Sequence, residues 1–146
     1  MTFAGMNYLA VVIAAVAGWL TGAAWYGLLA KHWVAALDLT AEEFNTRQAA
    51  KRASARQLLL FVLAFVADLI MAWILAGVLG HLGPGQVTLR NGIISGAFLW
   101  FGFVLTSLAV SYAVAGRKYM LTVIDAGHWL AVLVVMGAII GAMGLK

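Results

Sequence analysis

The order of apolar and polar residues divides the chain into four long apolar stretches separated by three polar connections. The stretches run from about Met6 to Ala30, Leu58 to Leu79, Asn91 to Ala115 and Tyr119 to Gly144. Each holds the roughly 20 mostly apolar residues that a helix needs to cross bilayer hydrocarbon. The pattern predicts an all-α protein, an integral membrane four-helix bundle forming a single transmembrane domain over residues 1–146. The first stretch reads as a span rather than a cleavable signal peptide. It lacks a basic leading segment and exceeds the roughly 7–15 residues of a signal's apolar region.

The connections set the orientation. The first, Lys31 to Gln57, is long and charged; the second, His81-Leu82-Gly83-Pro84-Gly85, is rich in helix breakers; the third is Gly116-Arg117-Lys118. The first and third fall on one side and hold Lys31, Arg47, Lys51, Arg52, Arg56, Arg117 and Lys118, seven of the nine basic residues. The positive-inside rule then puts both termini outside and the charged loops in the cytoplasm, as for a multi-pass protein of the cell inner membrane. Within the first loop, Thr40-Ala41-Glu42-Glu43 fits a capping box, and Leu39 and Phe44 stand where a hydrophobic staple closes. A short cytoplasmic helix is expected from Ala41, able to run on into the second span. Its basic end, Arg47 to Arg56, would lie near anionic headgroups at about 1 kcal/mol per charge. A plain topology signal is the simpler reading of those charges.

Composition agrees with lipid as the solvent. Hydrophobic residues make up 65% of the chain and charged residues 10%, against about 25% charged in soluble domains. The net charge of +4 does not indicate nucleic acid, because the basic residues lie between spans. There is no cysteine, which excludes disulfides, thiolate chemistry and cysteine metal sites. His32, His81 and His128 fall on different segments, so neither a metal site nor a cofactor is expected. No phosphate loop, dinucleotide fingerprint or nucleophile motif occurs. Ser107, His128 and Asp125 can be drawn as a triad, but serine is common in membrane helices and an enzyme is not the expectation.

Lipid supplies no hydrophobic force between helices, so close packing needs small residues. Gly18 and Gly22, Gly92 and Gly96, and Gly137 and Gly141 form three such pairs, one each on spans one, three and four. A bundle of four helices is thin, and a homo-oligomer, most simply a dimer, is expected. Trp25, Tyr26, Trp33, Tyr112, Tyr119 and Trp129 lie near the cytoplasmic interface and read mostly as belt residues, whose amphipathic rings sit at headgroup level.

The candidate chemistry lies in the polar residues inside the spans. A charge at mid-bilayer costs at least about 2.5–3.5 kcal/mol, so an ionisable residue there needs a partner, water or a neutral state. Asp68 and Asp125 both fall inside spans, and His128 shares a helix face with Asp125. At about 1.5 Å per residue, Asp68 lies roughly 15 Å from the cytoplasmic end, Asp125 roughly 9 Å, and His128 and Thr21 roughly 13 Å. Ser111 and Ser107 follow at roughly 6 and 12 Å, with Thr106 nearby. The outer half offers little beyond Asn7 and Ser95. This asymmetry suggests a blind polar pocket open to the cytoplasm, or a buried polar network, rather than a channel.

The chain resembles a family of small bacterial and fungal membrane proteins catalogued as domain of unknown function 1761. The resemblance covers nearly all of it. It rests on Asn7-Tyr8-Leu9-Ala10-Val11, Gly22-Ala23-Ala24-Trp25-Tyr26, Lys31-His32-Trp33, Leu37-Asp38-Leu39-Thr40, Trp100-Phe101-Gly102-Phe103 and Gly116-Arg117. The clearest stretch is Ile124-Asp125-Ala126-Gly127-His128-Trp129, followed by Val135-Met136-Gly137-Ala138-Ile139. Two positions depart from it. The family often has Ser-Pro where Gly27-Leu28 stands and tyrosine where His128 stands, so a histidine mechanism would not be general to it. The resemblance implies the four-span architecture and no activity.

Two functions follow as expectations. In one, Asp68, Asp125 and His128, with Ser107, Ser111 and Thr21, bind or transport a small solute, a cation or a proton, and His128 is the natural proton switch. In the other, the protein is a non-catalytic scaffold or accessory protein. There Asp68 and His128 bond directly, Asp125 orients its helix end, and the Ser and Thr hydroxyls bond their own backbones.

Overall fold

The computed structural model describes residues 5–52 and 55–144. Four helices in it are long and apolar enough to cross a membrane: Tyr8–Leu28, Gln57–Gly80, Leu89–Val114 and Tyr119–Met143. The first is helix α1, Tyr8–Leu28. Asn7 starts it by accepting a hydrogen bond at Oδ1 from the Ala10 amide (3.2 Å), which satisfies one of the free N–H groups of the first turn. Two shorter helices follow, α2 at Ala30–Ala36 and α3 at Ala41–Arg52. Asp38 turns the chain between them with φ of 59°, a left-handed conformation that Asp tolerates better than most residues. The Thr40–Glu43 capping box is formed. The Glu43 amide donates to Thr40 Oγ1 (3.2 Å), and the Thr40 amide donates to Glu43 Oε2 (2.8 Å). Bonds from the Thr40 amide and hydroxyl hold the Glu43 carboxyl below the usual carboxylate range. Residues 53 and 54, where α3 would meet the second span, lie outside the described residues.

Helix α4 covers Ala55–Gly80. The turn after it bends at Gly83 and Gly85, with φ of 104° and 74°, values that only glycine adopts freely. Helix α5, Leu89–Leu99, begins with Thr88 Oγ1 accepting from the Asn91 amide. The third span then passes through a π-helical segment, Trp100–Leu105, before continuing as α6, Thr106–Val114. Helix α7 is Tyr119–Met143.

Helix α7 is the spine of the bundle, packed between α1 on one side and the third span on the other, with α4 against α1. Both of α7's neighbours run antiparallel to it. Gly18 faces Met136 and Val132 while Gly22 faces His128. On the other side, Gly92 meets the Gly137 carbonyl, Gly96 the Leu133 carbonyl and Gly141 the Thr88 carbonyl. All six packing glycines are therefore spent on contacts within the chain. A Cβ at Gly92 or Gly137 would run into backbone, so the α5–α7 crossing is a backbone-to-backbone contact.

Two apolar clusters divide the interior. One joins Val11, Ala14 and Ala15 of α1, Ala72, Leu75, Ala76 and Leu79 of α4, and Val132, Leu133, Met136 and Ile140 of α7. The other, at the end of the bundle that carries α2, gathers Ala36, Leu121 and Ile124 with the rings of Trp25, Tyr26, Trp33 and Tyr112. The outer faces are apolar as well. Leu58 to Leu63 are all exposed, as are Phe98, Phe101, Phe103, Val110 and Val114. A water-facing surface of that kind is untenable for a monomer; against lipid tails it is ordinary. The fold fits a multi-pass membrane protein.

Candidate functional site

The buried ionisable residues Asp68, Asp125 and His128 have different surroundings. Asp125, 7% exposed, sits on the second turn of α7 and accepts three hydrogen bonds. Tyr26 Oη from α1 donates to Oδ1 at 2.8 Å, Trp33 Nε1 from α2 donates to the same oxygen at 3.1 Å, and Tyr112 Oη from α6 donates to Oδ2 at 2.8 Å. Two further indoles brace the backbone beside it. Trp25 Nε1 donates to the Ile124 carbonyl at 3.1 Å, and Trp100 Nε1 to the Ala126 carbonyl at 2.7 Å. Gly127 leaves the space for Trp25, since a Cβ there would come within 2.8 Å of its ring. One carboxylate thus ties α1, α2, α6 and α7 together through neutral aromatic donors. A buried carboxylate needs this kind of satisfaction where neither water nor a cation meets it.

The α2 end of this node has a second attachment. Lys118, just before α7, pairs with Asp38, and its Nζ donates to the Ala35 carbonyl (3.3 Å). Both partners of the ion pair are exposed, so its Coulombic part is worth little.

His128 lies one turn further along α7 and is 7% exposed. Its ring stands 4.8 Å from that of Tyr26 and 4.6 Å from that of Trp129, and Gly22 faces its Nε2. His128 Nδ1 is buried without a hydrogen-bond partner among the described residues. Asp68 is 5% exposed and likewise has no hydrogen bond or ion pair among the described residues. Each stands one turn before the first fully buried residue that its helix gives to the larger apolar cluster, Ala72 after Asp68 and Val132 after His128. At about 1.5 Å per residue the two side chains fall at a similar depth, roughly 15 and 13 Å from the cytoplasmic ends of their helices, although Phe65, one turn before Asp68, also packs against the larger cluster.

The structure separates residues that the sequence grouped. The Asp68–His128 hydrogen bond expected of a scaffold is not made among the described residues. Asp125 does more than orient its helix end: it joins elements far apart in sequence. Ser107 and Ser111 are exposed on the outer face of α6, away from Asp125 and His128. Thr21 and Thr106 donate to their own helix, to the Ala17 and Gly102 carbonyls (both 2.8 Å). Residues read as belt aromatics, Trp25, Tyr26, Trp33 and Tyr112, turn out to be the donors around Asp125, and Trp100 joins them. The usable signal was depth, because these rings fall on the same side of the membrane as the carboxylate they serve. Among the described residues no group of three His, Asp or Glu side chains could hold a metal. An open depression of about 450 Å³ at the opposite end, lined by Gly80, Pro84, Val87 and Gly144 among others, carries no ionisable side chain.

A family model described as "Protein of unknown function (DUF1761)" matches residues 9–141. No curated protein and no solved structure matches the chain.

Proposed function

We propose, for a chain that belongs to the DUF1761 family, that it is a non-enzymatic membrane protein which binds a small solute or ion in the layer between Asp68 and His128. One observation carries this reading. Among the described residues, the Asp68 carboxyl and the Nδ1 of His128, both on nine-tenths-buried side chains, have no hydrogen-bond partner, while the third ionisable group, Asp125, accepts three. Buried polar groups are paired in the great majority of cases, and unpaired ones call for an explanation. Ionisable residues inside spans mark solute and ion paths by default.

The seven basic residues on the α2 side, set against two on the other, support an orientation with both termini outside. The layer is then approached from the cytoplasm of a cell whose inner membrane holds the protein. The apolar cluster from Ala72 to Leu79 and Val132 to Ile140 blocks the way outward. The layer is thus a blind site in this conformation, and any transport requires that cluster to rearrange. The thin bundle favours assembly into a homodimer.

Reconstitution into liposomes tests the proposal. Vesicles holding the wild-type chain should bind or pass solute in a pH-dependent way, and Asp68→Asn should abolish the difference from empty vesicles. If wild-type and empty vesicles agree at every pH, the proposal is wrong. A scaffold role is the second reading, and the Asp125 node favours it, because that node is fully satisfied and joins four elements. Under it, Asp68→Leu changes stability or assembly and nothing else.

A further inference from the structure

We propose that α2 is a gate, hinged at Leu29 and Asp38 and latched by Trp33 and Lys118, which when closed shields Asp125 and His128 from the water at that end of the bundle. The proposal rests on reading an intramembrane site approached from the α2 side, and it names the element that controls access to it.

The cover is built of rings. Trp33 of α2 lies edge-on against Tyr26 of α1, with centroids 5.3 Å apart. Tyr26 in turn lies against His128 of α7 at 4.8 Å and donates to Asp125 at 2.8 Å. The order of rings from α2 inward is therefore Trp33, Tyr26, His128. Ala36, at the end of α2, is buried in the same apolar cluster as Leu121 and Ile124 of α7. Phe44 of α3 meets the Trp33 indole edge-on at 6.0 Å, so the basic helix is coupled to the cover.

Two breaks make α2 a separate body of seven residues. Leu29 leaves the helical region with φ of −97° and ψ of 12°, and Asp38 turns the chain in the left-handed region. A few residues at the ends of elements are where hinges absorb a change of direction. The latch consists of bonds that other partners can replace. When Trp33 withdraws, Tyr26 still donates to Oδ1 of Asp125 and Tyr112 to Oδ2. The freed indole can settle at headgroup level, where tryptophan is at home. Lys118 holds the far end of α2 by pairing with Asp38 and donating to the Ala35 carbonyl. All three groups are exposed, so water takes over when they part. Opening therefore orphans no buried polar group. By contrast, α5 meets α7 backbone to backbone at Gly92 and Gly137.

The chain has no cysteine, so single cysteines can report access. Ile124→Cys and His128→Cys lie beneath the cover, and Met136→Cys, in the larger apolar cluster, is the control. Full-length protein in lipid nanodiscs, with both faces open to buffer, is labelled with a charged thiol reagent too polar to enter lipid. Both reporters should react slowly with the latch intact. They should react at least tenfold faster when Trp33→Phe and Lys118→Ala are combined, while Met136→Cys stays slow in both backgrounds. Phenylalanine keeps a ring over Tyr26 and removes the donor, so faster labelling requires α2 to move. Unchanged rates at both reporters overturn the gate. So does equal acceleration at Met136→Cys, which would mean that the whole bundle loosens. Faster labelling beneath α2, with liposomes that neither bind nor pass solute, overturns the binding reading and leaves the gate standing. Solute uptake with labelling unchanged overturns the gate alone.

Discussion

Replacing Asp125 with leucine keeps the branching of the side chain, with two bulkier methyl groups in place of the oxygens, and removes both carboxylate acceptors from the node. Three donors then lose their partner: Tyr26 Oη, Trp33 Nε1 and Tyr112 Oη. In water-soluble proteins each buried group left unpaired costs about 1–3 kcal/mol. Within membranes, interhelical hydrogen bonds average only about 0.6 kcal/mol and reach about 1.7. The three donors are only partly buried and lie near the end of the bundle, so each can turn toward headgroup water. The lower scale therefore governs, and the sum over three donors comes to about 2–5 kcal/mol. Asp125→Asn should be much milder, about 1 kcal/mol or less. Its carbonyl still accepts from Tyr26 and Trp33, and its amide can donate to a Tyr112 hydroxyl that reverses its own bond. Reversible unfolding in mixed micelles, followed by tryptophan fluorescence as the denaturing detergent fraction rises, measures both variants against wild type. If leucine unfolds with wild type, or asparagine does as badly as leucine, then the aromatic donors do not hold the helices together and the account of the node is wrong.

Three other outcomes follow from the same geometry. Asp68→Leu should leave the fold as stable as wild type or raise its stability by about 1–3 kcal/mol, because it replaces an unpartnered buried carboxyl with an apolar group; a clear loss in the same unfolding assay would reveal a partner for Asp68. Gly137→Ala should cost about 1–3 kcal/mol by forcing α5 away from α7, whereas Gly102→Ala, with nothing within 4 Å of the added carbon, should cost nothing; equal effects would mean that the α5–α7 contact is looser than described. The lowered Glu43 carboxyl makes the first turn of α3 pH-sensitive. A depressed value in the folded state stabilises above the ordinary carboxylate range and is lost as pH falls through it. Protection of the Glu43 and Phe44 amides, corrected for the intrinsic pH dependence of exchange, should therefore fall in acid in the wild type; Thr40→Ala, which keeps the backbone donor to Glu43, should weaken that dependence, and Glu43→Gln should remove it.

Much of the fold was legible because lipid imposes a single rule. A segment that crosses hydrocarbon must be helical, apolar and about 20 residues long, and the expected spans agree with the helices to within two residues at most ends. The glycine pairs were legible as packing sites, but not which helices they join. That depends on rotation about each helix axis, and nearly every face of these helices is apolar. The site was half legible. Asp125 and His128 stood out as ionisable groups at one-turn spacing on an apolar helix. Their surroundings did not, because tyrosine and tryptophan serve equally as interfacial anchors and as hydrogen-bond donors. Yet the stretches that carry the family resemblance contain Trp25, Tyr26, Trp33 and Trp100, four of the five donors, and Ile124-Asp125-Ala126, which supply every acceptor they use.

The misplacement of Ser107 and Ser111 has a definite mechanical cause. At 100° per residue, Ser107 lies almost in line with Gly96, eleven positions earlier, and so with the face of the third span that packs on α7. The structure follows a different series. The residues turned toward the bundle are Gly92, Gly96, Trp100, Val104, Leu108 and Tyr112, spaced by four throughout. A regular α-helix cannot hold that spacing on one face over twenty residues, because each step of four overshoots a full turn by about 40°. The π-helical segment Trp100–Leu105 widens the helix locally and absorbs the overshoot. Two consequences come from that one distortion. Trp100 and Tyr112 both reach the Asp125 node, one onto the Ala126 carbonyl and the other onto Oδ2, while the serines swing to the outer face. Deleting Gly102, where an added Cβ would meet nothing within 4 Å, should let the segment relax to a regular α-helix. The residue removed offsets the about 100° of winding regained, so α6 keeps its facing and Tyr112 stays on Asp125. A single cysteine placed at position 111 in this cysteine-free chain should therefore react as readily with a lipid-side thiol probe in the deletion as in the wild-type background. Poor reactivity in the deletion would mean that the π-segment is not the one extra residue that sets the orientation of α6.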